Sequence, residues 1–342
     1  MKIGLIGTGL IGQERIRALK KISENIQALK IVGFFDVSNE ISKKISSDHK
    51  LISFNSIDEL LAEGLDWVFI ALPHNLVKDI AIKSIESGAN IFVEKPLGIT
   101  LAETNFIISK SREFNRHINV GMNYRFFKGV ACLIDDVKKK KFGKLISVKF
   151  VLGHGNSPGM ENNWKLQKDK CGGGCLIDPG IHVFDLMNCI SFGKIKINLV
   201  NHWKGFWNTG IEEEAHVMAR DENGTIFMID LSLNRWRSEF SISINGTEGY
   251  GRLFGRGRSY GYQNYTTGNK WGWLNNLTQE QSEKIIIKDY DCKDSFFLET
   301  VKLLEYNNLM PKPSSINYPS LANEKEIIRS MEILNDCQKF IV

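Results

Sequence analysis

The chain has 342 residues, of which 42% are hydrophobic and 24% are charged, and a formal net charge of +5, which is ordinary for a soluble two-domain protein and does not indicate nucleic-acid binding. Six cysteines are too few for a disulfide scaffold, no apolar stretch approaches the ~20 residues that span a bilayer, and no secretory signal is recognisable. We therefore expect a reduced, cytoplasmic protein with no membrane or nucleic-acid partner.

Apolar runs alternate with helical patterns through the first third of the chain. The predicted strands are Lys2–Ile6, Lys30–Phe35, Leu51–Ser53, Asp66–Ala71, Ile91–Val93 and Ile118–Gly121. The predicted helices are Leu10 to about Leu29, Ile41–Ser47, one opened by the Ser56–Glu59 capping box, Val77–Ser87, and Thr100 to about Phe114. Continuous apolar strands that alternate with helices predict a parallel sheet covered on both faces. We therefore predict a doubly wound α/β domain over residues 1–122.

Beyond residue 122, strands follow one another without intervening helices. The predicted strands are Leu145–Leu152, Lys196–His202, Glu214–Ala219, Thr225–Leu231, Phe240–Asn245 and Gly249–Leu253. The predicted helices are Cys175–Ile190, Asp294–Asn307 and Leu321–Gln338. This order predicts an α+β domain over residues 123–342 with an open, mainly antiparallel sheet. Its last helix is a candidate for packing back on the first domain.

The segment Gly7-Thr-Gly-Leu-Ile-Gly12 has the G-x-G-x-x-G spacing between a predicted strand and a predicted helix. Gly7 permits a tight turn, Gly9 lets a pyrophosphate approach the backbone, and Gly12 lets the helix pack closely on the strand. The free amide groups at the start of the helix, where Leu10 and Ile11 lie, are predicted to face the phosphates. The segment therefore predicts a dinucleotide site.

Asp36 ends the second predicted strand, 24 residues after Gly12. Its carboxylate is predicted to accept hydrogen bonds from the adenosine ribose and to repel a 2′-phosphate. No arginine follows it, because the next residues are Val37, Ser38 and Asn39. We therefore predict NAD as the cofactor in preference to NADP.

Two further strand ends carry candidate site residues, because ligands of open α/β sheets bind beyond the carboxyl ends of strands. One strand is followed by Ala71-Leu-Pro73-His-Asn75, and the next is followed by Glu94-Lys95-Pro96. Lys95 is predicted to face the nicotinamide end of the cleft, where its ammonium holds a substrate oxygen and stabilises developing charge.

A second cluster, Gly172-Gly-Gly-Cys-Leu-Ile-Asp178-Pro-Gly-Ile-His182, precedes a long apolar segment. Asp178 and His182 are four positions apart, which places them on one face of a helix with Asp178 at the N-cap. A histidine near neutral pKa takes a hydroxyl proton as hydride leaves the carbon, and a nearby carboxylate orients the ring or the substrate. The three glycines suggest backbone that approaches a ligand; a structural histidine beside a helix cap is the alternative.

Two other segments are given no separate function. Cys171 and Cys175 have a C-x3-C spacing that lacks a fourth zinc ligand, so we predict no metal site. Glycine, arginine and aromatic residues interleave over residues 252–273, as in some single-strand nucleic-acid binders. Because this segment follows a regular series of strands, we predict a sheet edge with loops that line the substrate cleft or a subunit interface.

Four motifs together resemble the Gfo/Idh/MocA oxidoreductases across nearly the whole chain. These are GTGLIG at 7–12, EKP at 94–96, GMNYRF at 121–126 and GGGCLIDPGIHVFD at 172–185. The resemblance implies a Rossmann domain followed by an α/β domain whose open sheet mediates oligomerisation, here a homodimer or homotetramer. It implies sugars, nucleotide sugars or cyclic polyols as substrates.

The resemblance also implies roles for individual residues. Lys95, Asp178 and His182 match catalytic positions, whereas Glu94, Pro96 and Asn123 match positions in the cofactor and substrate cleft. Two more candidate substrate contacts are Arg125 and Trp164, since an aromatic ring can stack on a sugar. One departure is that Val77 occupies a position where histidine is common in the family, which puts a cofactor contact there in doubt.

The residues and the resemblance favour an enzyme that transfers hydride between nicotinamide and a ring carbon bearing a hydroxyl. In this hypothesis Lys95 positions and polarises the oxygen and His182 takes its proton, although the sequence leaves open which of the two is the proton acceptor. The alternative is a dinucleotide-binding regulator or scaffold without turnover. A cofactor retained and recycled in place is a third hypothesis.

Overall fold

The structure, a computed structural model, describes residues 1–275, 278, 282–289, 294–307 and 317–341. Its strands are β1 (Lys2–Ile6), β2 (Lys30–Phe35), β3 (Trp67–Ile70), β4 (Asn90–Glu94), β5 (Ile118–Gly121), β6 (Leu145–Gly153), β7 (Ile195–Trp203), β8 (Glu214–Asp221), β9 (Ile226–Ser232), β10 (Glu239–Gly246), β11 (Gly249–Phe254), β12 (Gln263–Asn269) and β13 (Glu283–Asp289). Its α-helices are α1 (Leu10–Ser23), α2 (Asn39–His49), α3 (Ile57–Leu61), α4 (His74–Glu86), α5 (Leu101–Glu113), α6 (Lys128–Lys138), α7 (Lys168–Cys171), α8 (Gly180–Ile190), α9 (Ser295–Tyr306) and α10 (Glu324–Gln338).

The described residues divide into two compact units. The first unit contains Met1–Met122 with residues 296–307 and 321–328, and the second unit contains the other described residues. The first unit thus takes in most of α9 and the start of α10, which lie beyond the predicted boundary at residue 122.

The first unit is built on a five-stranded sheet in the order β2-β1-β3-β4-β5. All of its neighbouring strands pair in parallel, which confirms the predicted doubly wound sheet. The strand order reverses beside β1, so the carboxyl ends of β1, β2 and β3 surround the position where sheets of this kind bind ligands.

The core of the first unit lies against the middle strands of this sheet. Ile3, Trp67, Phe69 and Phe92 are each at most 2% exposed, and the rings of Phe69 and Phe92 stack with centroids 4.7 Å apart. Helix α9 adds three buried side chains to the same core, those of Val301, Leu303 and Leu304. These contacts explain why α9 belongs to the first unit.

The second unit is built on an eight-stranded sheet in the order β13-β12-β11-β10-β6-β9-β8-β7. Its described neighbours pair antiparallel except for β6 and β9, which are parallel. This confirms the predicted open, mainly antiparallel sheet. Helix α8 is mostly apolar, and Val183, Phe184, Leu186 and Met187 are each 0% exposed, as expected of a helix in the core.

The three largest differences between the predicted and the observed elements concern α1, residues 51–53 and α8. Helix α1 ends at Ser23 instead of near Leu29, because the N–H groups of the next two residues close the helix on Lys20 and Ile22 and a turn leads into β2. Residues 51–53 form a single bridge between Ser53 and Phe34 in place of a strand. Helix α8 begins at Gly180 instead of Cys175, since residues 175–179 form turns.

Four described elements lie outside the predicted set: α6, α7, β12 and β13. Helix α6 buries Val130, Leu133 and Val137 at helical spacing, a pattern that was available in the sequence. Strand β12 reads QNYTTGN and buries Thr266 and Thr267, so it lacks the apolar alternation that predicts a strand. Residues 252–273 contain β12, which is the second strand of the sheet, whereas the edge is formed by β13 further along the chain, so the sheet edge predicted for residues 252–273 is wrong.

Candidate active site

The glycine loop joins β1 to α1 in the first unit. Gly7 has φ +85°, and a Cβ there would clash with the carbonyl oxygen of Ala71, while a Cβ on Gly12 would clash with that of Gly7. A Cβ on Gly9 would meet no atom within 4 Å. Gly7 and Gly12 are therefore required by the turn and by helix packing, whereas Gly9 leaves its face of the loop open.

The start of α1 is suited to an anion. The N-cap is Gly9, and no side chain caps the first turn of the helix. Leu10 is 70% exposed, and Ile11 is partly exposed. The uncapped amides and the open face at Gly9 fit the pyrophosphate of a dinucleotide, as the sequence predicts.

Asp36 follows β2 and is held by the glycine loop. The amide and the hydroxyl of Thr8 donate to Asp36 Oδ2 at 2.6 and 2.9 Å, and the amide of Ser38 donates to Oδ1 at 2.9 Å. These bonds fix the carboxylate beside the loop while the residue stays partly exposed. Such a carboxylate can accept hydrogen bonds from ribose hydroxyls.

The other predicted cofactor residues of the first unit follow β3 and β4. Ala71 and Pro73 are partly exposed, Asn75 is exposed, and Pro73 is the N-cap of α4. Lys95 is partly exposed and Pro96 is buried. Their cofactor and substrate contacts stay predictions.

Glu94 has a structural partner that the sequence did not reveal. Arg15 Nε donates to Glu94 Oε1 at 2.6 Å, and Arg15 Nη2 donates to Glu299 Oε2 at 2.5 Å. Arg15 and Glu299 are 1% and 0% exposed, and the guanidinium lies over the Phe92 ring at 4.5 Å. Two carboxylates thus share one buried cation. The sequence feature that could have indicated this buried pairing is an arginine among the apolar positions of α1.

His182 lies in the first turn of α8 in the second unit and is 5% exposed. Its imidazole stacks on the Tyr124 ring, with centroids 3.9 Å apart and planes 8° apart. Burial raises the pKa of the Tyr124 phenol, so this ring stays neutral at neutral pH. Tyr124 therefore fixes the plane of the imidazole. It lies in the GMNYRF motif, where only its neighbours were predicted to have roles.

Asp178 does not occupy the predicted N-cap of α8. The N-cap is Pro179, and because the helix begins at Gly180, the four-residue spacing does not place Asp178 and His182 on one helix face. Asp178 instead forms an ion pair with Lys165, in which Lys165 Nζ lies 3.0 Å from Asp178 Oδ2. The charge of Asp178 raises the pKa of Lys165, so the ammonium stays protonated.

The glycine run before Asp178 packs against the protein itself. Gly172 has φ +93° at the end of α7, and a Cβ on Gly174 would clash with the carbonyl oxygen of Glu212. The carboxylate of Glu212 accepts the amides of Gly174 and Leu176 at 2.8 and 3.2 Å. Burial raises the pKa of Glu212. These contacts account for Gly172 and Gly174 without a ligand, and the approach of the glycine run to a ligand stays a prediction.

The three remaining predicted residues lie in the second unit. Arg125 is 1% exposed and binds Asp185 through two hydrogen bonds of 2.7 and 2.5 Å, while its substrate contact stays a prediction. Asn123 is buried and donates to Ser295 Oγ at 3.1 Å. Trp164 is partly exposed beside Lys165.

Among the described residues, no helix has both the length and the apolar content needed to cross a membrane.

Two models of one family match the sequence. Residues 1–122 match the oxidoreductase family with an NAD-binding Rossmann fold, and residues 133–252 match the GFO/IDH/MocA C-terminal domain.

The individual proteins that are similar to the chain share only a low sequence identity with it. The chain is 22% identical to a 1,5-anhydro-D-fructose reductase of Ensifer adhaerens over 258 residues, which is 74% of this chain and 75% of the relative. It is 27% identical to a glucose-6-phosphate 3-dehydrogenase of Bacillus subtilis over 189 residues, or 54% of this chain and 52% of that one.

Solved structures share the fold. That of the WlbA dehydrogenase from Bordetella pertussis, in complex with NADH and UDP-GlcNAcA, has a TM-score of 0.78 at 15% identity. The likeness covers 99% of this chain and 95% of that one. Because the two family models match residues 1–122 and 133–252, the chain belongs to the Gfo/Idh/MocA family of oxidoreductases.

Proposed function

We propose that this protein transfers hydride between NAD(H) and a hydroxyl-bearing ring carbon of a sugar, nucleotide sugar or cyclic polyol. The observation that carries the proposal is the open face at Gly9, beside an Asp36 carboxylate that the same loop holds in place. The family supports this reading over a non-catalytic regulator, because the relatives named above are enzymes.

The proposed cofactor site consists of the start of α1 and the Asp36 carboxylate. The amides at the start of α1 hold the pyrophosphate, and Asp36 accepts the ribose hydroxyls and disfavours a 2′-phosphate. When it is bound, the nicotinamide supplies or accepts the hydride. NAD is therefore the preferred cofactor in this proposal.

Three side chains are proposed to act on the substrate hydroxyl. Lys95 holds and polarises the oxygen through its ammonium, and His182 takes or returns the hydroxyl proton. Stacking on Tyr124 keeps the imidazole in one plane, which limits the reorganisation that proton transfer needs. Asp178 orients the histidine or a neighbouring hydroxyl while its own charge is balanced by Lys165.

The test replaces the two proposed catalytic groups. In a panel of free sugars, sugar phosphates, UDP-sugars and inositol, we expect wild-type turnover with NAD(H) for at least one compound. With that compound, Lys95→Ala and His182→Ala should each lower turnover by about 10²- to 10⁴-fold while NADH affinity stays unchanged.

Matched controls are Lys78→Ala in the first unit and His216→Ala in the second, whose side chains are 39% and 58% exposed. Both should keep wild-type turnover. If Lys95→Ala and His182→Ala also keep it, the catalytic assignment is wrong.

A further inference from the structure

Arg256 follows the end of β11 in the second unit and lies between two tyrosine rings. Its guanidinium carbon is 5.0 Å from the centre of the Tyr124 ring and 3.7 Å from that of the Tyr260 ring. Both contacts are cation–π interactions, and Tyr260 also forms a hydrogen bond with the guanidinium. The planar cation is therefore held in one orientation.

This cation lacks an anionic partner in the part of the chain that the structure describes. Arg256 Nε is buried and bonds to no described acceptor, and no described Asp or Glu carboxylate forms an ion pair with the guanidinium. Asp178 contributes attraction at longer range, but its own ion pair is with Lys165. Because a partly buried charge without a counterion is unfavourable, an oxyanion ligand would stabilise this guanidinium.

A cavity of about 940 Å³ opens beside this arginine, with Tyr260 in its wall. The charged residues of the cavity wall are Glu214, Arg235, Arg237, Glu239 and Arg258. Three arginines thus face two glutamates, and the balance is positive. The exposed ring of Trp236 forms another part of the wall and can stack on a planar group.

The arginines of the wall are not equivalent. Arg235 is paired with Asp230 at 2.9 Å and with Glu239 at 2.7 Å. Arg237 is exposed and forms no ion pair with any described carboxylate. Arg237 in the wall and Arg256 beside it are therefore two cations that no described carboxylate neutralises and that can bind an incoming anion.

The position of Arg256 connects the cavity to the proposed catalytic histidine. Tyr124 contacts Arg256 on its ring and stacks on His182 at 3.9 Å, so one aromatic ring separates the cation from the imidazole. An anion at Arg256 would therefore lie within one aromatic ring of the proposed catalytic histidine.

We propose that this cavity binds an organic phosphate group of the substrate through Arg256 and Arg237. Guanidinium groups pair with phosphate oxygens in a bidentate manner, and two separate cations suit a phosphate or diphosphate better than a single carboxylate. The inference rests on the proposed function and narrows its substrate class to phosphorylated sugars or nucleotide sugars.

The test measures binding by isothermal titration of protein saturated with NADH, so that the glycine loop is occupied. The probes are glucose, glucose 6-phosphate, UDP and inorganic pyrophosphate. We expect the wild type to bind at least one organic phosphate at least about tenfold more tightly than glucose. A tighter complex with UDP indicates a nucleotide sugar, and one with glucose 6-phosphate indicates a sugar phosphate.

Variants assign the binding to the cavity. Arg256→Met should weaken phosphate binding by about tenfold or more, and Arg256→Lys should weaken it less because it keeps the charge. The matched control Arg252→Met, an exposed arginine on β11, should bind as the wild type does. Arg237→Met replaces an exposed side chain, where substitutions change stability little, and it should weaken binding by about threefold or more.

Equal phosphate affinity in the wild type and in both the Arg256→Met and Arg237→Met variants would overturn the inference, and so would glucose binding as tightly as every phosphate. Turnover of neutral sugars alone would also overturn it, while the proposed function would stand. Failure of the proposed function appears separately, as no NADH binding by the wild type, and the comparison between variants can still be made with UDP.

Discussion

Asp36 and Glu94 are both carboxylates at the carboxyl ends of strands of one parallel sheet, yet their partners differ. Asp36 accepts from the amide and hydroxyl of Thr8, so its oxygens are oriented by neutral donors and its charge is not neutralised by them. Glu94 is paired with a buried guanidinium. Among the described residues no cation pairs with Asp36, and such a carboxylate is suited to ribose hydroxyls, which is why we expect Asp36 to set the cofactor preference.

Replacing Asp36 tests this expectation. Asp36→Ser removes the charged acceptor and the repulsion of a 2′-phosphate, so NADH affinity should fall by about tenfold or more and NADPH affinity should rise. Fluorescence titration with both cofactors measures the change. Asp48→Ser, at an exposed position of α2, is the control and should leave both affinities unchanged. An unaltered ratio of the two affinities in Asp36→Ser would remove Asp36 from the cofactor site.

The sequence predicts best the strands and helices that carry a local signal. β1, β2 and β5 have their predicted bounds, because a strand buried on both faces is a short apolar run with polar ends. The start of α5 was equally readable, since Thr100 accepts the amide of Glu103 at 3.1 Å as a capping box requires.

Elements and contacts without a local signal were not predictable. β12 is held by its neighbours and carries buried threonines instead of an apolar alternation. The pairing of Arg15 with Glu299 joins residues far apart in sequence, and no local pattern specifies it. At the site, the motifs predict Lys95, Asp178 and His182 as catalytic residues. The contacts of Tyr124, Lys165 and Arg256 depend on tertiary packing and have no local signal.

The ion pairs of Arg15 with Glu94 and Glu299 join α1, β4 and α9. Arg15→Met leaves two largely buried carboxylates, Glu94 and Glu299, without their shared cation, so the free energy of unfolding should fall by about 3–5 kcal/mol. Urea denaturation measures it. Arg17→Met, whose side chain is 54% exposed on the same helix, should change it by less than about 0.5 kcal/mol. Equal stability of the two variants would show that the buried network contributes little.

The second unit presents one apolar feature that bears on the whole molecule. Leu199 on β7 and Met218 on β8 are opposite each other in the sheet register, and they are 43% and 44% exposed. Adjacent exposed apolar side chains on a sheet are typical of a protein interface. They support the expected homodimer or homotetramer formed through the C-terminal sheet, which stays a prediction.

Charge at this position should prevent association. Met218→Glu would place a carboxylate in the proposed interface, so its solution mass should fall from that of a dimer or tetramer toward that of a monomer. Light scattering after size-exclusion chromatography measures the mass. Ile52→Glu, at a 64% exposed position of the first unit, should keep the wild-type mass. A wild type that is monomeric, or a Met218→Glu variant that keeps its mass, would contradict the prediction.

Binding of a nicotinamide dinucleotide is the claim on which the proposed function depends. The most direct measurement is the thermal unfolding of the protein, cleared of any retained dinucleotide, with increasing NADH and, separately, NADPH. A ligand at about 100 times its Kd stabilises the folded state by about 2.7 kcal/mol, so we expect NADH to raise the Tm clearly and NADPH to raise it less. A Tm that neither compound changes would contradict the account.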